Sequence, residues 1–570
     1  MRTPILGASY VARSVNAADN RMVNLFPEYI PEGGKDAAYL SRAPGLSLFA
    51  SVGNGPIRGM WQTGLYGYVV SSNTLYQIDK TGKSVQLGFV DGSGPVSMSD
   101  NGIQIFVACN PSGFVYNTST NKFTQITDPN FHGAGTVAFL NGYFVFNQPN
   151  SQTIWHSALF DGLEISEDFQ SAEGSPDNLV GLVAAHKELW LFGSDSVEVW
   201  YNSGGSVETP ENIFAPIPGA YSQIGCAATF SIARLDNSLF WLGRDNAGSG
   251  IVYSATGYNP QRISTHAIEW QIQSYPRMDD AIAYSYQQDG HPFYVLTFPT
   301  ASKTWVYDVS TRSWHERASF DGGLFYRHRS NCQMVINNQI LVGDYENGNI
   351  YTFDLDTYSD NNKPQKWLRS WRALPPGDNS LKRSSHHTLQ LDAQAGHTLP
   401  SPVYGLETES LLWITTESGV EIVVDVSGDR IYVDNFLLNT KSSDYLLTED
   451  SVLLGGSEEK EFIPEPGSFD LGVLQGEDIL TNNDQEIFVG YVPEPRKPEF
   501  ILRWSDDGGH NWSNEMWAGG GNAGQYGTRI IWRRLGMTLR LRDRVYEVSG
   551  TDPIKIAIMG AELYATPTRS

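Results

Sequence analysis

Cysteine is nearly missing from this chain of 570 residues, which has only Cys109, Cys226 and Cys332. These three are far apart, odd in number and set in or beside apolar strand-like runs. A disulfide framework therefore has no support, and buried free thiols in a reducing cytosol are expected. Their spacing fits no zinc site. Charged side chains are also scarce, at 18%, which argues against long, solvent-washed helices. No stretch approaches the roughly 18 apolar residues that a membrane span needs, and Met1 to Asn16 lack the apolar core of a secretion signal. Several catalytic signatures are missing too: there is no Gly-x-Ser-x-Gly elbow, no Walker loop and no HExxH helix.

Glycine and aromatic residues are plentiful, with 56 glycines and 12% aromatics, a composition suited to β-structure with many tight turns. Acid outweighs base, 63 to 39, giving a net charge of -24. Such a surface repels nucleic acid unless the charge is concentrated in one region.

A degenerate repeat runs from about Ile57 to Phe353. Seven times an apolar strand ends at a turn, a second strand follows, and a third carries an aromatic residue. The first strands begin at Pro56, Pro95, Thr136, Leu179, Ala228, Ala281 and Gln333. Several end in residues that tolerate positive φ, such as Asn141-Gly142, Asp289-Gly290 and Asn337-Asn338. The third strands carry Tyr76, Tyr116, Trp155, Trp200, Tyr253, Tyr307 and Tyr351. A single meander of this kind cannot bury both faces, whereas blades stacked around an axis can. A pair of β-sandwiches is the alternative, but the unit recurs without the long crossovers of Greek keys. The expectation is an all-β chain built on a β-propeller of six or seven blades, since a distant strand can complete a terminal blade.

The remaining segments divide by composition. Residues 1–45 lack the repeat and are expected as an irregular arm, with the propeller over 46–358. A C-terminal β region is expected from 359–396 plus 495–570, interrupted by an inserted acidic β-domain over 397–494. Between Leu406 and Ile487 there are 19 acidic against 3 basic residues. The last segment turns basic: Arg529, Arg533, Arg534, Arg540, Arg542 and Arg544 fall within 16 residues. Their strand-like setting suggests alternate arginines on one sheet face, candidates for an interface with acidic neighbours.

Ser505 to Trp512, SDDGGHNW, fits the Asp-box pattern Ser-x-Asp-x-Gly-x-x-Trp on Ser505, Asp507, Gly509 and Trp512: the Asp507 side chain can bond the turn backbone of a β-hairpin, Gly509 supplies positive φ, and Trp512 packs beneath. The motif recurs in sialidases, where it staples the fold at a distance from the chemistry. A sialidase also needs a tyrosine nucleophile and three substrate-gripping arginines, which cannot be assembled here. His386 and His387, adjacent on a strand, point to opposite faces and with His397 make poor metal co-ligands. No catalytic, cofactor or metal residue is assigned. The competing readings are a propeller glycosidase or depolymerase and a carbohydrate-binding adhesin.

Several long stretches occur in the order of one family: RMVNLFPEYIPEGGK, APGLSLFASVGNGPIRGM, SDNGIQIFVA, ELWLFGSDSVEVWYNSG, GYNPQRISTHAIEW, LRWSDDGGHNWSNE and YEVSGTDPIKIAIMGAEL. On these the chain resembles the tail nozzle or hub proteins of short-tailed bacteriophages, described as packaged-DNA stabilisation proteins. The resemblance covers nearly all of Arg21 to about Gly396 and Phe500 to Leu563; the acidic segment departs from it. It implies a structural virion protein without catalysis or cofactor, made in the host bacterial cytoplasm and placed in the virion tail. It further implies a hexameric ring beneath the portal and its adaptor protein. That ring would close the DNA exit, dock a tail needle, tailspikes or fibres, and pass genomic DNA without sequence-specific binding or membrane insertion.

Overall fold

In the computed structural model each repeat is a four-stranded antiparallel meander, and seven of them form a closed ring. The structure describes residues 1–14, 19–30, 37–204, 213–245, 248–373, 383–395, 498–521, 529–538 and 544–567, and the backbone of short strands between 402 and 493. Blade 1 comprises Ile57–Thr63, Tyr66–Ser71, Thr74–Ile78 and Ser84–Phe89. Blades 2 to 6 have their first strands at Ser97–Asp100, Val137–Leu140, Leu179–Ala185, Ala233–Leu235 and Ile282–Gln288. Blade 7 is built from Ser330–Ile336, Gln339–Asp344 and Asn349–Asp354, and is completed by Gly45–Ser51 from the other end of the repeat. That distant strand settles the blade number at seven. The first strands of blades 7 and 1 lie against each other, so the ring is shut.

Alternation explains the packing. Tyr68, Val70 and Leu75 of blade 1 meet Val107, Phe114 and Tyr116 of blade 2 in one buried cluster. Each large apolar side chain buried this way contributes about 1.5–3 kcal/mol. The tight turns use the expected chemistry: Asn141, Asp289, Asn337 and Asn338 all sit at positive φ. Blade 5 departs from expectation. Its first strand, read from Ala228, forms only at Ala233, because Thr229–Ser231 make a 3-10 turn. The Ser231 hydroxyl donates to Ala228 O at 2.7 Å and accepts from Leu242 N at 3.1 Å, replacing ladder bonds with its own. The one α-helix among the described residues, His266–Gln273, begins at Thr265, whose side chain accepts from Ile268 N.

The segment expected as an irregular arm is woven into a β-sandwich. One of its sheets is ordered Leu25–Tyr29, Ala38–Arg42, Ile556–Pro567, Ser384–Ala395, Ile530–Met537, with Arg2–Thr3 also on Ile556–Pro567. The other runs Met22–Val23, Trp367–Arg372, Val545–Gly550, Glu499–Ser505, Met516–Gly519. Ile5, Met22, Leu25 and Leu40 join Trp367, Trp371, Trp532 and Tyr546 in the core between them. Met22–Val23 also pairs in parallel with Ser313–Asp321, the outermost strand of blade 6. Propeller and sandwich therefore share a continuous sheet.

These parts form one compact unit (1–396, 498–521 and 526–570), and residues 397–497 with 522–525 form a second. Within the second, Pro402–Thr408 pairs antiparallel with Ile487–Pro493, and Val423–Ser427 with Arg430–Val433.

Candidate functional site: the axial cavity, the Asp box and the arginine strand

First strands of all seven blades line an axial cavity of about 610 Å³. Arg58, 4% exposed, donates to Gly94 O, Ser72 O, Asp91 O and Cys109 Sγ at 2.7 to 3.2 Å. Toward the hairpin turns, the Asp100 carboxylate accepts from Trp61 Nε1 at 2.8 Å, Thr63 Oγ1 at 3.0 Å and Gly102 N at 2.9 Å. Lys187 and Arg234 also line the cavity. Both are exposed and have no ion-pair partner among the described residues.

The Asp box forms as a self-contained turn. Asp507 Oδ1 accepts from Ser505 Oγ at 2.6 Å, His510 N at 3.0 Å and Asn511 N at 2.8 Å, and Ser505 Oγ accepts from Gly509 N at 2.8 Å. The Asn511 backbone bond, followed by the Ser505 hydroxyl, holds the Asp507 pKa well below the carboxylate range. Gly508 and Gly509 both take positive φ, 76° and 107°. Trp512 is half-buried, and the Arg503 guanidinium lies 4.8 Å from its ring centroid.

The six arginines divide. Arg544 is not at the surface: 2% exposed, it holds Asp506 through Nε at 2.6 Å and Nη2 at 2.8 Å. It also donates to Leu535 O and Met537 O at 2.6 and 3.2 Å. It ties the Asp box to the neighbouring strand and is unavailable as an interface residue. Arg529, Arg533 and Arg534 are exposed without an ion-pair partner among the described residues. The expected alternation fails at a bulge, where Arg534, at φ 61°, and Leu535 together oppose His387. Arg533 and Arg534 are thereby exposed side by side. Arg540 and Arg542 lie outside the described residues, as does His397.

His386 Nδ1 meets Tyr546 Oη at 2.7 Å, and its Nε2 meets Ser384 Oγ at 3.0 Å, inside the sandwich. His387 instead meets Thr566 Oγ1 at 2.9 Å. No group of metal-ligating residues occurs among the described residues. All three cysteines are free, Cys109 and Cys226 buried and Cys332 partly so.

Sequence reasoning missed the buried ionic seam where blade 6 joins the sandwich. Glu316 accepts from Arg21 Nε and Nη2, both at 2.9 Å, and from Lys303 Nζ at 2.7 Å. Burial alone would raise its pKa; the Arg21 and Lys303 cations outweigh burial and hold it at about 2. Beside it Arg369, fully buried, donates to Ile5 O at 2.7 Å and Asn20 O at 3.3 Å. The available signal was arginine set among apolar residues, as in WLRSWR, in a chain poor in charge.

Comparison with known proteins gives no match among curated proteins. Solved structures with similarity include the Neurospora crassa Pan2 WD40 domain, at 8% identity over 55% of this chain and 96% of that one, with a TM-score of 0.37. The RRP9 WD40 repeats follow at 9% identity over 55% and 99%, TM-score 0.34. Two family models match, described as bacteriophage P22 Gp10, beta-propeller, over residues 1–358, and bacteriophage P22 Gp10, beta-sandwich, over residues 473–566. The chain belongs to the bacteriophage P22 Gp10 family, structural proteins of the phage tail nozzle associated with packaged-DNA stabilisation.

Proposed function

We propose that this chain assembles into a ring at the distal end of the virion DNA channel, beneath the portal and its adaptor. There it narrows the exit after packaging and docks needle, tailspike or fibre proteins. The observation that carries this reading is the family match to both propeller and sandwich. The architecture suits it: a ring closed by Gly45–Ser51 and joined to the sandwich through Met22–Val23 resists internal pressure without relying on a flexible linker. Six copies related by rotation would place the same surface at each subunit boundary. Arg529, Arg533 and Arg534 supply cations for acidic neighbours there. Acidic residues of the 397–494 segment would repel passing genomic DNA over about one Debye length, roughly 8 Å. In this reading the Asp box is a fold staple, with Ser505 and Asp507 spending the hydrogen bonds named above within the turn.

Quantitative peptide mass spectrometry on purified particles tests the reading. About six copies per particle beside portal and adaptor peptides are expected. Absence from particles would overturn it and bring the glycan-active propeller forward. Charge reversal of Arg533 and Arg534 should lower incorporation into particles while leaving the thermal midpoint unchanged.

A further inference from the structure

One mouth of the axial cavity carries features that folding does not require. The turn of blade 4 places His186 and Lys187 in succession at φ 55° and 65°. Asn-Gly, or the Asn337-Asn338 pair of blade 7, makes such a turn with less strain. On blade 3 the hairpin tip is Leu159-Phe160, 57% and 59% exposed, with Phe160 at φ 58°. An aromatic residue at positive φ, facing water, is unfavourable twice over. Phe160 lies 6.2 Å from Phe139, a residue of the cavity wall. Its carbonyl accepts from Asn101 Nδ2 at 3.2 Å, which draws the blade 2 turn and Ile103, 52% exposed, onto the same rim.

Charge completes the pattern. Asp100 is already engaged by three donors, whereas Lys187 and Arg234 at the cavity have no ion-pair partner among the described residues. The lining thus offers two unpaired cations beside the Asp100 carboxylate, which its neutral donors leave charged. Cavities of about 300–1,000 Å³ are of binding-site size. The wall mixes apolar residues such as Met98, Leu140, Val183 and Ile232 with polar ones such as Ser99, Thr136, Asn331 and Gln333.

We infer that this mouth receives an extended polypeptide segment of another virion protein, one that sets apolar side chains beside carboxylates. Its apolar groups cover Ile103, Leu159 and Phe160 and enter the cavity; its carboxylates meet Lys187 and Arg234. The inference rests on the structural-protein reading above and adds a partner chemistry to it.

The test uses the full chain assembled in particles, with a photoreactive benzoyl-phenylalanine in place of Phe160. The expected result is a cross-link to a segment of a different virion protein rich in acidic and apolar residues. The yield should fall at least about tenfold when Lys187→Glu and Arg234→Glu are added, the change expected for a loss of about 1.4 kcal/mol. Separately, Phe160→Gly should leave the thermal midpoint unchanged or raised while weakening partner capture, an outcome that a merely structural Phe160 would not give. A cross-link only to a second copy of this chain, or none although the chain is present in particles, overturns the inference and leaves the structural reading standing. A chain missing from particles overturns both.

Discussion

Replacing Glu316 by glutamine is the sharpest test of how propeller and sandwich are held together. The carboxylate is 4% exposed and sits at the register point where Val23 pairs with blade 6. Its pKa of about 2, against an ordinary 4.5, corresponds to roughly 3 kcal/mol favouring the charged form. Breaking a buried ion pair costs about 3–5 kcal/mol when the partner charge stays buried. Arg21 and Lys303 are 30% and 31% exposed, so both can turn toward water. The lower end then applies, about 3 kcal/mol for Glu316→Gln. For the compact unit of about 465 residues this lowers the midpoint by roughly 3 °C.

Calorimetry of the full chain at neutral pH reads that shift, and amide exchange at Asn24, whose N–H donates to Glu316 O at 2.9 Å, locates it. The pH dependence gives an independent check. A carboxyl with its native pKa depressed contributes fully above pH 4.5 and loses that contribution as pH falls through about 2. The glutamine variant should lack this part of the acid limb. A midpoint drop below about 1 °C, with exchange at Asn24 unchanged, would refute the claim that this seam joins the two domains.

Three further outcomes follow from buried groups. Burial first, and Arg317 next, push the His315 pKa down to about 3, and burial does the same for His328; unfolded histidine titrates near 6.5. Their contribution is complete above about pH 6.5 and lost as pH falls toward 3, so His315→Phe should recover about 2 kcal/mol at pH 5 in denaturant titrations. Gly45→Ala would set a Cβ 2.4 Å from Thr357 O at the start of the closing strand. A loss of about 1–3 kcal/mol and faster proteolysis within Gly45–Ser51 are expected. Arg544→Met should cost about 3 kcal/mol by stranding Asp506, measured as a thermal midpoint; an unchanged midpoint would refute the claim that Arg544 holds the Asp box to the neighbouring strand.

The propeller was legible because its rules are local. Each inner hairpin must alternate apolar residues and turn through Asn, Asp or Gly, and both signals survive in a single sequence. The fourth strands were not legible: Ser84–Phe89 is mostly exposed or half-buried, so water, not packing, sets its composition. The arm failed for a different reason. Met22–Val23 is two residues long and is a strand only because residues 316 and 368 lie beside it, a pairing that no local window contains. The Asp507 turn was legible because its backbone partners fall within four residues, whereas the Arg544 clamp on Asp506 comes from 38 residues away. The Arg534 bulge was hidden because it is specified by the facing strand. The axial cavity has no motif, as each blade gives it only a few positions.

Counting arginines along the chain overstates what reaches the surface, and the reason lies in how this fold ties its ends. Arg42, 1% exposed, donates to the carbonyls of Tyr358, Gln365, Asp552 and Ile554. Arg369 does the same for the first residues of the chain. In both cases a single guanidinium gathers segments hundreds of positions apart, satisfying carbonyls that short strands leave unpaired. Lysine, with three donors on a mobile stem, could not span the same set in a fixed plane. A chain that buries such arginines to stitch its arm to its sandwich presents fewer to partners than its sequence contains, and Arg529, Arg533, Arg534 and Arg234 are among those left exposed. The same logic makes Arg369→Lys disruptive despite its unchanged charge: amide exchange should quicken around Ile5 and Asn20, and protection retained there would show that the strands hold the arm without the clamp.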